Sequence, residues 1–141
     1  MGNIINPGGE VSTSLPIPQG VPMAAQFIGA RAVYKKVDRD DNGDPLEGTA
    51  PFAVWMRYRI DDPEFPELTD AGTFVDTQVD LRRRPATKYL AHCGPIGITN
   101  PDEPWDEDDY KGAKVMVVLG TRKHWETGAE EPDVTQVFQR G

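Results

Sequence analysis

The segment FAVWMRYRI, residues 52–60, carries the clearest strand signal in this 141-residue chain. Every even position in it is apolar, namely Phe52, Val54, Met56, Tyr58 and Ile60. The odd positions from 55 onward are Trp55, Arg57 and Arg59. Because successive side chains of a strand point to opposite faces, the pattern predicts a strand with one face in the core and with an aromatic and two arginines on the other.

Four more segments predict strands, because they are apolar or alternate and are bounded by turn residues. In chain order, the predicted strands are residues 23–36, 52–60, 73–81, 113–119 and 134–139. A short helix is expected at residues 86–92, where Pro85 suits a first helical position and Gly94 and Pro95 end the run. The acidic stretches 61–70 and 100–110 are predicted to be irregular.

The resulting order, β-β-β-α-β-β, predicts a mostly β protein. It is the layout of a five-stranded OB-like barrel, a small, partly open fold whose sheet face and loops commonly hold oligonucleotides. Other five-stranded barrels and sandwiches fit the same order. A length of 141 residues suits a single domain.

The N-terminal part of the chain is predicted to be a separate, extended arm. Residues 1–22 contain Pro7, Gly8, Gly9 and several more prolines and glycines, with only scattered aliphatic residues. We therefore expect two parts, an extended Gly/Pro-rich arm at residues 1–22 and a single OB-like β-barrel domain at residues 23–141. Such an arm suits contacts with neighbouring subunits, including a homo-oligomer formed by arm exchange.

The charge is unevenly distributed along the chain. The formal net charge is −8, which on its own argues against a partner rich in phosphate. However, 13 of the 15 basic residues fall in or beside the predicted strands and helix, and 20 of the 23 acidic residues fall in the connecting stretches. A locally positive groove inside a negative molecule is therefore possible.

The candidate ligand-binding residues lie on the predicted outer face of the sheet. They are Trp55, Arg57, Arg59, Phe74, Lys114 and Arg122. An aromatic ring beside an arginine can stack a base while the arginine neutralises its phosphate, worth about 1–3 kcal/mol per stacked base. The alternative needs no ligand: Trp55 covers a loop and the arginines pair with nearby acids. The run Arg82, Arg83 and Arg84 is expected to be a solvated corner.

Catalytic and metal chemistry find little support in the sequence, and we predict a protein that is not an enzyme and uses no cofactor. Residues 38–43 begin like a calcium loop, but position twelve is Thr49 where a glutamate belongs. We expect a plain Asn-Gly turn there. His92, Cys93 and His124 are too few for a convincing zinc site, and Cys93 is expected to pack inside the helix junction.

A reducing compartment is expected, because Cys93 is the only cysteine and no internal disulfide can form. The first 20 residues lack the basic start and apolar run of a signal peptide, and no segment has the length of a membrane span. We therefore expect no membrane partner and a cytoplasmic location.

Several segments resemble the OB-fold single-stranded-DNA-binding proteins of tailed phages. The resemblance covers about residues 18–139 and is carried by PQGVPMAAQFIGARA, FAVWMRYRI, GTFVDTQVDL, KYLAHCGPIGI, DYKGAKVMVVLGTRKHW and DVTQVFQ. It implies groove-type binding of single strands, with Trp55, Arg57, Arg59 and Phe74 on the binding sheet.

The functional expectation is binding of single-stranded DNA with little sequence preference, in phage replication or recombination. The alternative is a structural protein of a virion, such as a decoration or cement subunit that laces onto neighbouring subunits by its arm. The two differ in Trp55, which should be exposed among arginines in the first case and buried or covered in the second.

Overall fold

The computed structural model describes residues 17–83 and 85–140. Its strands are β1 (Pro22–Val33), β2 (Ala53–Ile60), β3 (Phe74–Asp80), β4 (Lys114–Lys123) and β5 (Glu130–Gln139). Its helices are α1 (Pro66–Asp70) and α2 (Thr87–Ile96). Most of the predicted arm, residues 1–16, lies outside the described residues. The part that is described leads into β1, with the Gly20 N–H donating to the Leu119 carbonyl at 3.0 Å.

All five strands belong to one antiparallel sheet with the order β3-β2-β1-β4-β5. The long strand β1 is central and pairs with two neighbours. Residues 22–26 pair with β4 and residues 25–33 pair with β2, so that Ala25 and Gln26 have a partner on each side. A bulge between Phe27 and Gly29 lies where the neighbour on one side changes, as is usual where a strand bends.

The sheet is strongly curled. In a flat five-stranded sheet the two edge strands would lie about 19 Å apart, yet here β3 and β5 are in contact. The Thr77 hydroxyl of β3 donates to the Asp133 carboxylate of β5 at 2.6 Å. The Arg122 guanidinium donates to the Asp76 carbonyl at 2.7 Å. These are side-chain bonds and not a backbone ladder, so the five-stranded antiparallel sheet is present without closure.

One hydrophobic core fills the inner face of the curled sheet, and α2 packs against it beside β3, β4 and β5. The predicted facing of β2 is confirmed for residues 54–60, whereas Phe52 precedes the strand and is only half-buried. The inward side chains of β2, Val54, Met56, Tyr58 and Ile60, are buried, and Arg57 and Arg59 are exposed. The helix contributes Tyr89, Cys93 and Ile96 to the core, and Cys93 is buried as expected.

The stretch 61–70 was expected to be irregular, which is wrong for its second half, where α1 forms. Pro66 occupies the start of this helix, a position that lacks a hydrogen-bond partner in any helix. Leu68 is buried against the core. The buried Asp62 accepts the Glu64 N–H at 2.9 Å and the Ala24 N–H at 2.9 Å, which ties this loop to β1.

Four predicted boundaries were also wrong. Strand β1 ends at Val33 and not at residue 36, β4 continues to Lys123 and not only to residue 119, and β5 begins at Glu130 inside the predicted loop. Glu131 of β5 lies opposite Arg122 of β4 in the register, and the ion pair between them favours its place in the strand. Helix α2 continues past the predicted end at residue 92, through Pro95, to Ile96. Gly97 caps the helix, and its φ of 105° is the left-handed conformation that glycine adopts readily.

Candidate nucleic-acid interface

The six predicted site residues all lie on the outer face of the sheet or at its rim. Phe74 of β3 is the register partner of Arg59 of β2, Arg59 is that of Gln26 of β1, and Gln26 is that of Lys114 of β4. One row of side chains therefore crosses four strands. A second row contains Trp55 of β2 between Arg31 of β1 and Gln78 of β3.

Arg57 lies between an acid and an aromatic ring. Its guanidinium donates two hydrogen bonds to the Asp76 carboxylate, at 2.6 and 3.0 Å. It also lies 4.2 Å from the centroid of the Phe74 ring. The hydrogen bond to Asp76 raises the pKa of Arg57. Phe74 is 50% exposed, so part of its surface is open to solvent although Arg57 lies against the ring.

Arg122 reaches the same face from β4. Its guanidinium lies 5.2 Å from the centroid of the Trp55 ring. It also forms ion pairs with Glu131 and Asp133, both at 2.9 Å. Trp55 is half-buried. Its exposure therefore does not separate the two functional expectations, because the ring lies among arginines but is partly covered by Arg122.

Arg59 and Lys114 are exposed cations on the shared row. Neither forms an ion pair with another residue in ranges 17–83 and 85–140. Between them, Gln26 donates to the Asp61 carboxylate at 2.8 Å, and this bond lowers the pKa of Asp61. Arg59 and Lys114 are therefore the two predicted cations best placed to meet a phosphate.

Two exposed residues that bear on the candidate site were missed by sequence reasoning. Trp125, at the turn between β4 and β5, is 85% exposed and stacks on His124 with a centroid distance of 6.3 Å. The available signal was a tryptophan inside a polar turn, where no core position exists for it. Arg31 is the second, and it lines a groove of about 280 Å³ together with Ile28, Trp55, Arg57, Asp76 and Glu107.

Carboxylates on and beside this face form ion pairs with several of its arginines. Arg57 and Arg122 are both paired with carboxylates, so part of the ligand-free alternative is present in the structure. Arg82, next to the face, is paired in the same way, and its hydrogen bonds hold the pKa of Asp80 at about 2. A phosphate group would have to compete with these carboxylates for the same guanidinium donors.

The other residues considered for chemistry are engaged structurally. The Asp40 carboxylate accepts the N–H groups of Asn42 and Asp44, at 2.8 and 3.0 Å, within a turn that continues to Gly43. Burial raises the pKa of the Cys93 thiol to about 11, which keeps it protonated and unreactive at neutral pH. Within the described ranges, no three His, Cys, Asp or Glu side chains are gathered as metal ligands would be.

Comparison of the sequence with protein-family models and with curated proteins finds no match. None of the helices in the described part of the chain is long and apolar enough to cross a membrane.

Proposed function

We propose that the protein binds single-stranded DNA, with little sequence preference, across the outer face of β2 and β3 and the neighbouring part of β1 and β4. The observation that carries this proposal is the pairing of guanidinium and aromatic groups on one sheet face. The Arg57 guanidinium lies 4.2 Å from the centroid of the Phe74 ring, and the Arg122 guanidinium lies 5.2 Å from that of the Trp55 ring.

This arrangement suits a nucleic-acid base. The exposed side of Phe74 offers a flat apolar surface for stacking, and stacking is tolerant of sequence because every base has a π face. Arg59 is next to Phe74 in the register, and Lys114 lies two strands further along the same row. A strand that stacks a base on Phe74 therefore has cations within reach of its backbone.

The fold is consistent with this proposal. Five strands in one strongly curled sheet, with helix α2 between β3 and β4, support an OB-like architecture, in which the sheet face and adjoining loops hold oligonucleotides. The short helix α1 between β2 and β3 is an addition to that layout. The exposed Trp125 lies in the turn between β4 and β5, one of the loops that flank such a face. A role in phage replication or recombination is part of the proposal and rests on the resemblance in layout.

The test is fluorescence anisotropy of a labelled oligothymidylate titrated with the protein at low and moderate salt. We expect salt-sensitive binding, because contacts to phosphates release counterions, and loss of binding in the double variant Trp55→Ala, Arg57→Ala. Absence of binding by the wild-type protein at low salt would overturn the proposal.

The second candidate is a structural role in an assembly such as a virion. It is favoured by the outer face of β4 and β5, where Phe138 is 46% exposed beside Met116. An apolar patch outside the sheet suits contact with another protein subunit. If the oligothymidylate does not bind, analytical ultracentrifugation with a Phe138→Ser variant tests this role, which predicts self-association that the variant weakens.

A further inference from the structure

A second cleft lies between the later half of β1 and the segment that precedes β4. It adjoins the groove on the sheet face, with which it shares Ala30, Arg31 and Glu107. Its volume is about 520 Å³. It forms because β4 pairs with β1 only between Pro22 and Gln26. Beyond Phe27, the side of β1 that faces away from β2 has no strand beside it in the described residues.

The backbone of β1 offers hydrogen-bonding groups to this cleft. The Ala30 N–H donates away from β2, to the Glu107 carboxylate at 3.1 Å. Residues two apart in a strand direct their backbone groups to the same side. The N–H and carbonyl of Ala32 therefore also point away from β2, and no described residue bonds to them on that side. An unpaired strand edge is a ready template for another extended segment.

The opposite wall of the cleft is aromatic and is fixed in position. The Trp105 indole N–H donates to the Tyr89 hydroxyl at 2.8 Å, and this hydroxyl donates to the Pro101 carbonyl at 2.7 Å. Tyr34 and the inner residue Val54 also line the cleft. The side chains of an extended peptide would therefore meet an apolar, preformed surface.

The charge on the rim selects the occupant. Asp102, Glu103 and Glu107 line the cleft, against one cation, Arg31. In the described ranges, Asp102 and Glu103 form no ion pair. A nucleic acid would be repelled here. Residues 1–16 of this chain do not fit either, because they contain Glu10 and no Lys or Arg.

We propose that this cleft binds an extended, basic peptide segment of a partner protein, which adds to the free edge of β1 at Ala32 and places lysine or arginine side chains against Asp102 and Glu103. This mode of recognition takes its affinity from main-chain bonds and its specificity from the flanking side chains. The cleft adjoins the proposed DNA-binding face, but the proposal rests on the edge of β1 at Ala32 and on Asp102 and Glu103, which do not line the groove of that face.

The probe is a fluorescein-labelled ten-residue peptide of alternating lysine and valine, with a peptide of alternating glutamate and valine as its charge-reversed control. We expect the basic peptide to bind and the acidic one not to bind. The double variant Asp102→Asn, Glu103→Gln should bind the basic peptide roughly tenfold more weakly. The matched control Glu64→Gln, Glu67→Gln removes the same charge from exposed residues around α1 and should retain wild-type affinity.

Amide hydrogen exchange gives the structural readout. Saturation with the basic peptide should slow exchange of the Ala32 N–H, because this group gains an acceptor. The proposal is overturned if the two charge variants weaken binding equally, if the basic peptide does not bind, or if exchange at Ala32 is unchanged when the peptide is bound.

Discussion

The Arg57 guanidinium is held by the Asp76 carboxylate through two hydrogen bonds that cross from β2 to β3. The carboxylate fixes the arginine against the Phe74 ring and also places a negative charge where a phosphate of a bound strand would approach. The same ion pair thus orders the proposed site and weakens its attraction for DNA.

Replacement of Asp76 by asparagine should therefore strengthen binding. The change removes one negative charge within about 4 Å of the guanidinium, worth about 1 kcal/mol or roughly fivefold in affinity. Titration of labelled oligothymidylate at low salt measures the effect. On an Arg57→Ala background, the Asp76→Asn change should give no gain in affinity over Arg57→Ala alone. An equal gain on that background would show that Arg57 is not the cation concerned.

Phe74 and Phe138 form a matched pair for testing the stacking surface. They are 50% and 46% exposed, respectively, and both lie on the outer face, but on opposite edge strands. Phe74→Ala should cost about 1–3 kcal/mol in oligothymidylate binding, whereas Phe138→Ala should change it little. Equal losses in the two variants would point to a general effect on the fold and would remove the support for stacking on Phe74.

The buried His92 predicts a pH dependence of stability. Burial lowers its pKa from 6.5 to about 4, and its Nδ1 is 2.7 Å from the Tyr58 hydroxyl. The buried, neutral histidine makes its full contribution to the free energy of unfolding when the pH is above the unfolded-state pKa of about 6.5. As the pH falls from 6.5 toward 4, the unfolded chain binds the proton more readily, and up to about 3 kcal/mol of stability is lost.

Urea unfolding of wild type and His92→Gln between pH 7 and pH 4 checks this. The wild type is expected to be the more stable at pH 7, and the difference in free energy of unfolding should shrink toward pH 4, because the variant lacks the titrating group. A difference that stays constant with pH would contradict it. Carboxylates that titrate in both proteins cancel in this comparison.

Gly120 on β4 predicts a steric coupling to β5. A Cβ built on Gly120 would lie only 2.7 Å from Cγ2 of Thr135, and the Thr135 hydroxyl is bonded to the Val118 carbonyl at 2.9 Å. Gly120→Ala should therefore destabilise the protein by about 1–3 kcal/mol. Thermal or urea unfolding should show that Thr135→Ser, which removes Cγ2 and keeps the hydroxyl, recovers most of this loss in the double variant.

The strands were predictable where the side chains alternate strictly. In β2 and β3, the apolar side chains Val54, Met56 and Val79 are inside, as the period-two pattern indicated. The alternation of apolar and polar residues predicts which side chains are inside because one face of each strand is buried. The outward placement of Trp55, Arg57 and Phe74 followed from the same pattern.

The interactions that the sequence did not reveal are those between distant segments. Glu130, Glu131 and Asp133 read as part of an acidic loop, because nothing local indicates that Arg122 lies across the ladder from Glu131. Helix α1 was missed because its stability comes from Leu68 and from Asp62, which contacts β1. The ion pairs of Arg57 and Arg122 depend on the register of the strands and on the curling of the sheet. Neither of these can be deduced from composition.

The two edge strands β3 and β5 are joined by the side chains of Thr77, Arg122 and Asp133, and not by paired backbone groups. Side-chain contacts of this kind break one at a time, whereas a ladder resists separation along its whole length. The seam between β3 and β5 is therefore the line along which the sheet should part first when the protein opens locally. Widening there would move Arg122 away from Trp55 and uncover the ring, so the same seam sets how much aromatic surface the molecule presents.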